Sequence, residues 1–221
     1  MSKNLYSLML DDGVVAAIDR LAYLESTTRS GLVNRILAEY ASYVTPEQRI
    51  REAFLSIRHL LDGEEELRLL TEPSETMLSL RSALLYKYNP TVRYSVELYR
   101  SEGGGVGELR VSLRTQNEAL IAAMMRFFRI WDSVERAGLS SAPNCRAGEG
   151  KYVRVLAPRA RHTLPSVALT PAALGELIMR YIRTLDRALK LYFRHLEDMS
   201  MAVAAVEAVY AEYIRSSEIL L

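Results

Sequence analysis

Three histidines, His59, His162 and His195, and one cysteine, Cys145, are the side chains here best suited to hold a metal or act as a nucleophile. Metal sites need three or four ligands at short, matched spacings. These histidines lie far apart and have no matched carboxylates, so neither a metal nor a cofactor is expected. Cys145 sits in a Gly/Pro-punctuated stretch without a nearby histidine, and a single cysteine excludes an internal disulfide framework; it reads as a reduced thiol. Serine and threonine offer no nucleophile elbow and no paired base. The run Gly103-Gly104-Gly105-Val106-Gly107 superficially suggests a phosphate loop, but such glycines lead into a helix N-terminus, and this run lies between two strand-like segments. It reads as a hairpin tip, and no enzyme is expected.

The cationic side chains are better organised. Arg180, Arg183, Arg187, Lys190 and Arg194 recur at helical spacing, opposite Leu174, Leu177, Ile178, Tyr181, Leu185, Leu189 and Tyr192. Arg154, Arg159, Arg161 and His162 add a cluster upstream. Such a stripe is either a solvated face or an anion surface for a DNA backbone or an acidic partner. Arg93, Arg110 and Arg114 could join that surface or pair locally with Glu97. Lys and Arg against Asp and Glu number 4 to 5 over residues 1–43, but 9 to 4 over 151–198, so the basic excess is in the C-terminal half.

Two blocks of elements must position these groups. In the first, Tyr6, Leu8 and Leu10 line one face of a strand over residues 5–10, with Leu5, Ser7 and Met9 on the other. Asp11 and Asp12 cap a helix carrying Val14, Val15, Ile18, Leu21 and Ala22, which ends near Leu24. After a polar break at residues 25–28, Thr28 caps a second helix with Leu32, Val33, Ile36, Leu37 and Tyr40. A block this small cannot bury its apolar faces alone.

The run Tyr-Ser-Leu-Met-Leu-Asp-Asp at 6–12, the helix after it, the break before Thr28-Arg29-Ser30 and the following Leu32-Val33-Asn34-Arg35-Ile36-Leu37 resemble the ribbon-helix-helix DNA-binding superfamily. The resemblance covers about the first 40 residues. It implies a homodimer, or a higher oligomer, whose two paired strands enter the DNA major groove. Under it, Leu5, Ser7 and Met9 face the bases, and Lys3, Thr28, Arg29 and Ser30 contact phosphates. Leu5 and Met9 depart from the polar residues usual there, since they can touch only thymine methyl groups or other protein. The alternative implied is a protein-interaction or oligomerisation scaffold that uses the ribbon fold only to dimerise.

The second block, residues 45–221, restarts at Thr45-Pro46-Glu47-Gln48, a capping box with proline at the first helical position. A helix to about Leu61 is followed by a short helix led by Glu64, Glu65 and Glu66, then by a segment in which Met77, Leu80, Leu84 and Tyr88 fit a helix, with a strand over 82–88 as the competing reading. From Thr91 the period is two: Val92, Tyr94, Val96 and Leu98, then Leu109, Val111 and Leu113, predict a hairpin. A helix over about 115–137, a loop over 138–150, a third strand over 151–156, a long helix from Thr170-Pro171 and a helix or continuation over about 199–216 complete the block. The fold class expected is mostly α with a small antiparallel β component (α+β): an N-terminal ribbon-helix-helix module over 1–44, then an α+β body with a three-stranded antiparallel sheet and long C-terminal helices.

No apolar run approaches the roughly 18 residues of a membrane span, and the N-terminus lacks a signal-peptide pattern, so a cytoplasmic location without membrane contact is expected. The function expected is a transcriptional regulator or plasmid or mobile-element accessory factor bound to double-stranded DNA, with a protein partner or small-molecule effector conceivable at the body.

Overall fold

A computed structural model of the chain describes residues 7–41, 43–87, 89–101, 105–139, 143–160 and 169–221. The chain divides into two compact units, residues 1–49 and 50–221.

The first unit holds two helices and the start of a third. Helix α1 (Asp12–Leu24) begins at Asp11, whose carboxylate accepts the Gly13 N–H at 2.7 Å. Helix α2 (Arg29–Tyr40) is capped by Thr28, whose hydroxyl accepts the Gly31 N–H at 3.1 Å. Each cap satisfies one of the first-turn amides that lack an intrahelical acceptor. Helix α3 (Pro46–Leu61) starts on the expected capping box: Gln48 accepts the Thr45 N–H at 3.1 Å, and Thr45 accepts the Gln48 N–H at 3.2 Å. Ser7 to Leu10 form no strand within the single chain; Leu5 and Tyr6, the rest of the expected strand, lie outside the described residues.

The second unit is an antiparallel sheet packed against helices. Strands β1 (Leu67–Leu69), β2 (Met77–Ala83), β3 (Thr91–Leu98), β4 (Gly107–Leu113), β5 (Cys145–Gly148) and β6 (Lys151–Leu156) lie in the order β1-β2-β3-β4-β6-β5. Helix α4 (Glu118–Gly138) leads from β4 to β5, β7 (Arg159–Ala160) pairs with β8 (Ile219–Leu220), and α5 (Pro171–Arg194) and α6 (Met199–Ser216) lie between those two short strands in sequence. The inner sheet face buries Leu78, Leu80, Val92, Tyr94, Val96, Leu109, Val111 and Tyr152, and thirteen residues of α5 are buried. Gly175 lets α5 approach α3, because a Cβ there would lie 2.5 Å from the Ala53 carbonyl oxygen.

The α+β class and the β3–β4 hairpin match the expectation, but the sheet has six strands instead of three. Residues 77–83 are a strand, not a helix. Leu78, Leu80 and Ser82 point inward, and the serine in that row hides the alternation because it is buried against a polar partner, Asp186. The segment after Glu66 is strand β1 paired to β2 rather than a short helix. Within the expected loop 138–150, residues 145–148 form edge strand β5. Its two-residue turn to β6 needs positive φ at Glu149 (51°) and Gly150 (72°), a geometry that suits the twist of a hairpin.

Candidate functional site

The residues expected to meet DNA lie in the first unit. Ser7, Met9, Thr28, Arg29 and Ser30 are all exposed, whereas Lys3 and Leu5 lie outside the described residues. Met9 is as open as in an extended chain, at 102%. The Thr28 hydroxyl is committed to capping, and Arg29 donates to Asp19 through Nε at 2.6 Å and through a terminal nitrogen at 2.5 Å, fastening α2 to α1. That hydrogen bond holds the Asp19 carboxyl below its ordinary range. Arg35 is similarly paired with Glu25. Arg29 therefore reaches a phosphate only by leaving Asp19, and an exposed pair of this kind exchanges partners at little cost.

Burial within this unit is slight. Of the ten apolar positions expected on the inward faces of α1 and α2, only Ala22 and Leu32 are buried; Val14, Leu21, Ile36, Leu37 and Tyr40 are exposed. Among the described residues, twelve of the sixteen exposed large hydrophobics lie between Leu8 and Val44. Exposed apolar residues concentrated in this way mark a surface that something else covers.

The accessory anion surface expected downstream is not assembled. Arg154 is not on the surface: it is 1% exposed and is paired in the core with Glu135. Along α5, Arg183 is bonded to Glu64 and the Leu60 carbonyl, Arg187 to Glu212, and Lys190 to Glu66 and Asp186, while Arg180 donates to Ser217. The stripe is a set of straps to neighbouring elements, and its charge is largely matched by acids that sequence spacing could not place there. Arg194 is exposed at the end of α5, Arg159 lies half-buried in β7, and Arg161 and His162 are outside the described residues. An open groove of about 320 Å3 between α5 and α6 is lined by Glu176, Arg180, Arg187, Glu212 and Tyr213.

Sequence spacing also missed two buried carboxylates. Glu135 accepts from Tyr152 Oη and Tyr181 Oη, each at 2.9 Å, and pairs with Arg154 at 3.0 Å; Trp131 donates to Tyr181 at 2.9 Å. Burial pushes the Glu135 carboxyl up, against the opposing pull of Arg154. Arg154 also donates to the main-chain oxygen of Leu221, tying β6 to the segment after α6. Asp186 accepts from Tyr94 at 2.8 Å and Ser82 at 3.1 Å, joining α5 to the sheet. Their donors come from distant strands and helices, so both networks hold the core together. Cys145 donates to Asp132, and burial followed by that contact raises its thiol, the opposite of an activated nucleophile. No group of three potential metal ligands is gathered among the described residues, and no described helix is long and apolar enough to cross a membrane.

No protein-family model, curated protein or solved structure matches the chain.

Proposed function

We propose that the protein is a homodimeric DNA-binding regulator or accessory factor, whose first unit pairs with that of a second copy and presents residues 5–10 as a two-stranded ribbon to the major groove. The observation that carries this is the uncovered apolar surface on α1, α2 and residues 8–10, in a unit whose described residues bury only Ala22, Leu32 and Ala38 as hydrophobic core. A second copy supplies matching apolar faces, and each large aliphatic side chain covered contributes about 1.5–3 kcal/mol. Two capped helices following residues 5–10, with the N-terminus of α2 exposed, support a phosphate beside the ribbon.

A second reading, a scaffold that dimerises in the same way but contacts protein, is favoured by the wholly exposed Met9 and by the pairing of Arg29 and Arg35 to acids. Sedimentation of the full chain and a mobility-shift titration across salt concentrations separate the two. The DNA reading requires a dimer whose duplex affinity falls steeply with salt. A dimer that binds no selected or random duplex even at about 50 mM salt leaves only the scaffold.

A further inference from the structure

The outer face of the six-stranded sheet carries a feature that the first unit does not supply. The strand registers align Arg68 of β1 with Arg81 of β2, Arg81 with Arg93 of β3, Arg93 with Ser112 of β4, and Ser112 with Lys151 of β6. One row crossing five strands thus holds four cations and a hydroxyl. With strands about 4.8 Å apart, the row is roughly 19 Å long. Arg114, two residues beyond Ser112 on the same face, and Arg146, in β5 opposite Val153, extend the positive field.

Arg68, Arg81, Arg93, Arg114, Arg146 and Lys151 are all exposed, and none is ion-paired among the described residues. Glu97 and Glu108, the acids within the strands on this face, are both taken by Arg110. Like charges set directly opposite one another weaken a sheet, so the row has no use in folding. The α5 cations, by contrast, are nearly all bonded to acids or carbonyls of the fold itself. Among the described residues, Tyr94 and Tyr152 point into the core and Tyr99, on the outer face past the end of β3, is bonded to Glu108, so the row itself offers bases no ring to stack on. A broad basic row that offers no ring for stacking suits the evenly spaced phosphates of a duplex, which recur about every 3.4 Å along each strand.

We propose that this sheet face is a second, sequence-independent contact surface for the backbone of duplex DNA, with Arg68, Arg81, Arg93, Ser112 and Lys151 as phosphate ligands. It rests on the DNA-binding reading above, and adds the phosphate affinity that the slightly acidic first unit lacks.

The test is binding of the full chain to a random-sequence duplex by fluorescence anisotropy between about 50 and 200 mM salt. The triple variant R81Q/R93Q/K151Q should bind at least tenfold more weakly at low salt, with a log–log salt slope smaller by about 2–3 per chain. R93Q alone should lower the slope by about 1, which guards against misfolding of the triple variant. Thermal midpoints should hold or rise, since repulsion is removed. The control R187Q, on the acid-paired stripe, should leave the slope unchanged. Wild-type binding with an unaltered slope in both row variants overturns this surface and leaves the DNA reading standing. Absence of duplex binding by the wild type overturns both. Loss of binding to phosphatidylserine vesicles by the triple variant, with duplex binding unchanged, overturns it in favour of a membrane surface.

Discussion

The two units solve the same problem, burial of apolar surface, to different extents. Residues 50–221 enclose a continuous core in which Trp131, Phe127, Phe128, Tyr181 and Tyr192 are fully buried, and charged groups that enter it come with partners. Among the described residues of 1–49, the buried apolar side chains are Ala22, Leu32 and Ala38, while Leu21, Ile36 and Leu37 stay in solvent. Local chemistry is present in both units: helix starts are capped at Asp11, Thr28, Asn117, Thr170 and Asp198. The difference shows that well-formed helices do not by themselves make a stable unit, because most helical stability comes from packing an apolar face against something.

That contrast can be broken first at Arg154. Arg154→Met leaves Glu135 buried without its counterion, and removal of one partner from a buried pair costs about 3–5 kcal/mol. The folded-state pKa of Glu135 is already raised and rises further in the variant. Its contribution is therefore fully present below the unfolded-state value and lost as pH rises through the folded-state value. Denaturant unfolding across pH should show the deficit of Arg154→Met at its largest near neutrality and shrinking as pH falls into the carboxylate range; a pH-independent deficit contradicts the pairing.

The first unit should respond in association rather than in core stability. Leu37→Asp is expected to weaken self-association by about 2–4 kcal/mol, as at an interface anchor, read by sedimentation equilibrium. The unfolding of residues 50–221 should stay put. An unchanged dimer, or a monomeric wild type, removes the basis for the proposed pairing.

The smallest effect is expected at the start of α3. Thr45→Ala deletes the hydroxyl that accepts the Gln48 amide and should lower stability by about 1 kcal/mol in thermal unfolding. No change would mean that solvent replaces the cap.

Local signals were legible wherever a short stretch decides the conformation. Asp11, Thr28 and the Thr45/Gln48 box mark helix starts because a cap is a contact between residues two or three apart. The β3–β4 hairpin follows from strict alternation, and the poverty of the first unit's core from its length and the number of apolar faces it must cover. Strands β1, β2 and β5 were hidden because pairing is non-local: β2 has a serine facing inward, and β5 is an edge strand of Cys, Arg, Ala and Gly.

Charge was the least legible property. The cations on α5 formed the plainest stripe in the sequence, yet Glu64, Glu66 and Glu212, brought in from other elements, largely neutralise it. The row of Arg68, Arg81, Arg93 and Lys151 is invisible in sequence, because successive members are 12 to 58 residues apart and only strand register lines them up. The sequence alone determined where helices begin, which faces are apolar and how little the first unit can bury, all matters of neighbouring residues. Tertiary structure decided which charges meet an opposite charge and which remain open to a partner, because that depends on distances between residues remote along the chain.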